Sequence, residues 1–150
     1  MAAMRYPLEV LVKTRNWELD AVRQKVLAAR DAVAEGEKAL SRLRWEISQA
    51  EAEFVGEGGR APILIERRKR VALFVRERRK QLEERHERLD IDRESLAKLT
   101  GDMTLLRRSI LALERHRERY LKTLNARVER NIEKAQDEAW LGRRRVQGRG

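Results

Sequence analysis

The sequence predicts an all-α protein, a long antiparallel two-helix coiled-coil hairpin with the second helix overhanging the first. Three observations carry this. Charged residues make up 40% of the chain and aromatics only 5%, a balance that suits a narrow apolar seam better than a thick core. There are only two prolines in 150 residues, one near each expected helix start. Apolar residues recur at alternating spacings of four and three over two long stretches, the repeat of helices that supercoil around each other.

The first stretch sets helix one at about residues 7–54. Pro7 suits a first helical position, where a missing N–H costs nothing. Glu9 falls in the first turn, favourable against the helix dipole and within reach of Lys13. The seam then reads Leu8, Val12, Arg15, Leu19, Val22, Val26, Ala29, Val33, Gly36, Leu40, Leu43, Ile47, Ala50 and Phe54. Gly36 is its weak point, since a mid-helix glycine costs about 1 kcal/mol against alanine.

The breaker cluster Gly56-Glu57-Gly58-Gly59 places the turn at 55–61, and Pro62 opens helix two, expected over about 62–141. So short a connection makes the helices antiparallel neighbours. The second seam runs Val71, Val75, Arg78, Leu82, Arg85, Leu89, Asp92, Leu96, Leu99, Met103, Leu106, Ile110, Leu113, Arg117, Tyr120, Leu124. It crosses Gly101 without a change of phase, which predicts a continuous helix. Glu94–Lys98 and Glu118–Lys122 have the favourable acid-first spacing. A turn near residue 58 puts position i opposite roughly 116 − i, so that Arg78 and Arg85 lie across the small residues Gly36 and Ala29. Helix two then outruns helix one beyond about residue 110, yet Leu113, Tyr120, Leu121, Leu124, Val128, Ile132, Ala135, Ala139 and Trp140 continue on it. An apolar stripe on an unpaired helix is a binding surface. The arginine-rich tail 142–150 is expected to be frayed.

The residues point away from catalysis. His86 and His116 stand thirty residues apart on one helix and read as solvated surface residues. The glycine cluster lacks the lysine and preceding strand of a phosphate loop. A narrow coiled coil offers no concave pocket. Neither an enzyme activity nor a cofactor or metal is expected. Without cysteine there is no disulfide or thiolate site, which suits a cytoplasmic protein. No apolar run reaches spanning length, so membrane insertion is not expected.

The formal net charge of +10 is uneven. Residues 60–88 hold eleven Lys/Arg against five Asp/Glu, and 142–150 add four arginines, while helix one is close to neutral. The basic segment reads as a solvated face, a dock for an acidic protein, or a nucleic-acid or anionic-membrane surface. Interleaved acids and the scarcity of stacking aromatics disfavour nucleic acid. Trp17 and Trp45 lie one or two positions off the seam; flanking the core is favoured over exposed anchoring.

At the N-terminus, Arg5-Tyr6-Pro7-Leu8-Glu9, then Leu11, Arg15 and Glu18, resembles the opening of the FliJ/YscO family, its injectisome YscO-like branch more than the flagellar one. Length, basic character and a longer second helix fit the same family plan. The resemblance implies a non-catalytic central stalk of a type III secretion export apparatus, cytoplasmic and peripheral at its base. Such a stalk inserts into a hexameric export ATPase, stimulates it, links it to the cytoplasmic domain of the export gate protein, and escorts export chaperones. Carried onto this chain, the ATPase-binding residues are Leu8, Leu11, Arg15, Tyr120, Leu124, Val128 and Ile132. The gate-binding residues are Val71, Phe74, Val75 and Arg78. A generic coiled-coil adaptor or chaperone escort is the alternative, and a nucleic-acid-binding coiled coil a third.

Overall fold

The computed structural model of the chain describes residues 5–56 and 62–148. Two long helices packed against each other make up nearly all of it: α1, Glu9–Gly56, and α2, Pro62–Gln147. Of the expected turn, residues 57–61 lie outside the described residues, as does the side chain of the seam residue Phe54. Among the described residues no helix is long and apolar enough to cross a membrane.

The helix ends follow local chemistry. Pro7 and Leu8 form a turn in place of a first helical step, and the Glu9 N–H donates to the Tyr6 carbonyl at 3.1 Å. Glu9 is thus the acidic residue of the first turn of α1, where the helix dipole favours it. At the other end α2 continues through 142–147, six residues past the expected end at Leu141, so the arginine-rich segment expected to be frayed is helical up to Gln147. Arg144 and Arg145 in its last turn face the negative end of the dipole. The Arg144 carbonyl accepts a closing bond from the Gly148 N–H at 3.0 Å. Gly101 does not interrupt α2.

The described residues divide into two compact units. The larger, Asp20–Thr104, buries Val26, Leu40, Leu43 and Ile47 of α1 against Leu89 and Met103 of α2. Leu89 is its most enclosed side chain, at 1% exposure. Each full burial of this kind is worth about 1.5–3 kcal/mol. Ion pairs frame the seam: Arg93 Nη2 to Glu37 at 3.2 Å, Arg78 Nε to Glu46 at 3.2 Å, and Arg79 to Glu51. From Glu37 to Glu46 along α1 the partner falls from Arg93 to Arg78 along α2.

These contacts correct the expected register. Gly36 meets Leu89, where the turn-centred alignment brings it to Arg78. Arg78 instead pairs with Glu46, about nine residues from the expected partner. Arg85 is exposed and lies on the rim of an open groove beside Gly36 and Leu89. A heptad seam slides by one repeat without losing its apolar contacts, so steric fit and charge choose the register. At Gly36 the missing side chain is the space that Leu89 Cδ1 occupies, only 2.9 Å from where a Cβ would stand.

The second unit contains the chain up to Leu19 and from Leu105 onward. Tyr6, Val12, Leu19 and Ile110 are buried in it. Glu9 pairs with Arg117 at 3.6 Å, across the helices, in place of the expected Lys13. Tyr6 reaches His116 and Tyr120, so α2 is still partnered at Tyr120 and not only to about residue 110. From Asn125 to Gly148 every residue is exposed.

Candidate interaction surfaces

The residues expected at an ATPase-facing end all belong to the second unit, whose described residues are 5–19 and 105–148. Tyr6 organises it. It is 4% exposed, and its ring lies edge-on to Tyr120 with centroids 5.6 Å apart. Its hydroxyl hydrogen-bonds His116 Nδ1 at 2.5 Å. His116 is exposed, as expected of a surface histidine, and its Nδ1 is engaged by Tyr6. Neither residue belongs to the apolar repeat, because Tyr6 precedes the helix and His116 sits one position before the seam residue Arg117.

Around this fastening, Leu8 and Leu11 are partly exposed, at 39% and 38%. Arg15 is half-buried and bonded to Glu18 at 2.9 Å. Tyr120 and Leu124 are half-buried, and Val128 and Ile132 open to solvent. Of the seven, Tyr120 touches the N-terminal segment through Tyr6, whereas Val128 and Ile132 lie on the fully exposed length of α2. That length also carries Trp140 and Leu141, at 57% and 48% exposure, with Arg144 stacked over the Trp140 ring at 5.0 Å.

The residues expected to face an export gate lie in the other unit. Val71 and Val75 are half-buried and line a shallow apolar groove with Ala72, Glu51, Arg76 and Arg79. Phe74 is partly exposed beneath the Arg78 guanidinium, 4.9 Å above its ring. Arg78 thus does two jobs, covering Phe74 and pairing with Glu46, both as a half-buried side chain. Replacing Arg78 with alanine is expected to destabilise this unit by about 1 kcal/mol, because the pair is only partly shielded from water. Chemical denaturation of the variant beside Glu46→Ala and the double variant measures it, with the double costing less than the sum.

Trp17 and Trp45 depart from expectation. They are 76% and 63% exposed, and do not flank the core. Each stands two positions from seam residues on both sides, Trp17 between Arg15 and Leu19, Trp45 between Leu43 and Ile47. Two helical steps turn about 200°, so both indoles point away from the seam. An outward tryptophan is a large apolar area that water does not favour, and a suitable anchor for another protein.

Lys69, Arg70, Arg76, Arg79 and Lys80 are all exposed around Leu73, itself 65% exposed, and Glu77 and Glu83 interrupt the basic face. Comparison with models of protein families, with curated proteins and with solved structures finds no match to this chain.

Proposed function

We propose that this protein is the non-catalytic central stalk of a type III secretion export apparatus, an antiparallel coiled-coil hairpin whose second helix overhangs the first. The overhang inserts into a hexameric export ATPase, raises its turnover and links it to the export gate. The observation that supports this reading best is the length of α2 beyond Leu124, a fully exposed helix that still carries an apolar stripe. A stripe of this kind needs an external partner, and a lone helix, about 10–12 Å across, is slim enough for a ring's central channel. The N-terminal resemblance points to that ring, and the contact of Tyr6 with Tyr120, just before the exposed length of α2, supports the same reading.

Under this reading Leu8, Leu11, Arg15, Tyr120, Leu124, Val128 and Ile132 serve the ATPase, and Val71, Phe74, Val75 and Arg78 serve the cytoplasmic domain of the gate. Export chaperones are further partners, and the protein works in the cytoplasm at the base of the apparatus. The test is ATP turnover by the hexameric ATPase of the same system, with and without the stalk. Val128→Glu combined with Ile132→Glu is expected to abolish stimulation while leaving the fold intact, since both side chains already face water. Binding without any rise in turnover would reject the stalk and favour an adaptor, a reading that the outward Trp17 and Trp45 support. For the gate, Phe74→Ala is expected to weaken binding about tenfold, as loss of a partly exposed aromatic anchor does.

A further inference from the structure

The exposed length of α2 has a second property, which lies in how its residues would face themselves. Leu121, Leu124, Val128, Ile132, Ala135, Ala139 and Val146 fall within an arc of about 80° at 3.6 residues per turn. Leu121, Leu124, Val128 and Ile132 stand at the start of this stripe, and the small Ala135, Ala139 and Gly142 follow on the same face before Val146. Laid antiparallel on a second copy, with the twofold axis between Asn131 and Ile132, three layers of the stripe match large against small, while Ile132 beside the axis faces Asn131 and Val146 at the end faces Arg117. Leu124 then faces the second copy's Ala139, Val128 its Ala135, and Leu121 its Gly142.

The charges flanking the stripe match in the same alignment. In an antiparallel coiled coil each flank meets the identical flank of the partner. Arg127 on one flank then meets the second copy's Glu138, and symmetry repeats the pair. On the other flank Glu118 meets Arg143, and Asn125 meets Gln136. All six are exposed. A parallel, in-register pairing sets Leu124 on Leu124 and alanine on alanine. That wastes volume at one end, leaves gaps at the other, and retains only Glu138 with Arg143 as a charge pair.

We infer that this protein forms a weak antiparallel homodimer through residues 118–146 of α2. The inference stands on the placement of these side chains and needs no export ATPase. If the stalk reading also holds, the dimer covers Leu124, Val128 and Ile132, and self-association competes with insertion into the ring.

Sedimentation of the full-length chain over a range of concentrations tests it without any ATPase, so its failure is distinct from failure of the stalk. The mass is expected to rise from 17.7 kDa toward twice that value across the micromolar range. Arg127→Glu and Glu138→Arg, each replacing two attractive pairs by two repulsive ones, are each expected to raise the dissociation constant about tenfold. The double reversal restores it. A chain that stays monomeric throughout, or a double variant no tighter than the singles, overturns the proposal. Orientation is read by disulfide capture, clean because the natural chain has no cysteine. Leu124→Cys and Ala139→Cys chains, mixed and oxidised, are expected to join to each other. Leu124→Cys joining chiefly to itself would mean a parallel pair and overturn the assignment.

Discussion

Replacing Leu89 with alanine is expected to destabilise the unit Asp20–Thr104 by about 2–5 kcal/mol, the cost of emptying a filled core position. Leu89 is 1% exposed and inserts against Gly36, where no side chain competes for the space. The companion substitution, Gly36→Ala, sets two effects against each other. Alanine gains about 1 kcal/mol of helix propensity over glycine. Its Cβ stands 2.9 Å from Leu89 Cδ1, and Leu89 is too enclosed to move freely. Overpacking costs about 1–3 kcal/mol, so the net expectation is a loss of about 1 kcal/mol. In the Leu89→Ala background the clash is gone, and Gly36→Ala should stabilise. Urea denaturation of the four proteins measures this change of sign as a coupling energy. Equal effects of Gly36→Ala in both backgrounds would show that Leu89 does not depend on the glycine.

The same pair shows what was legible in the sequence. Each helix reveals its seam alone, because a 4-3 apolar repeat fixes which residues face inward. Val12, Leu19, Val26, Leu40, Leu43 and Ile47 are read correctly on α1, and Leu89, Met103 and Ile110 on α2. How far one seam is slid along the other is not in that pattern, because a displacement of one heptad leaves every apolar residue facing inward. The choice rests on side chains that the pattern treats as defects. Gly36 admits Leu89, and Arg78 and Arg93 find Glu46 and Glu37. A register counted from the breaker cluster falls about nine residues short, and with it the expected end of pairing near residue 110, whereas Tyr6 still meets Tyr120. The tryptophans differ for another reason: two positions from the seam in sequence are nearly its opposite side on a helix. On the candidate surfaces, the exposed stripe of α2 was legible as leftover seam. The Tyr6 fastening was not, because it lies outside both repeats.

Tyr6→Ala is expected to have the second large effect, loosening the start of α1 from α2 at a cost of about 3 kcal/mol, the low end for removing a buried aromatic. The residue stands just before α1 and accepts the Glu9 N–H on its carbonyl, so its position decides where the helix begins. Its ring holds the segment through Tyr120 and His116, and its hydroxyl adds the bond to His116 Nδ1. At the first turn of a helix this loss has a local outlet. Amide exchange at Glu9–Leu19 should accelerate by about a hundredfold if about 3 kcal/mol of local opening energy is removed. Tyr6→Phe separates packing from hydrogen bonding. It keeps the edge-on contact and gives up a bond worth about 1 kcal/mol, so exchange should rise only about fivefold. His116→Ala also removes the bond, and takes one of the two ring contacts with it, so it should fall between the two. If Tyr6→Phe matched Tyr6→Ala, the hydroxyl and not the ring would be the fastening. The start of α1 would then rest on one polar contact at an exposed histidine. The 4% exposure of Tyr6 argues for the ring, because burying an aromatic face excludes water over far more area than one hydrogen bond occupies.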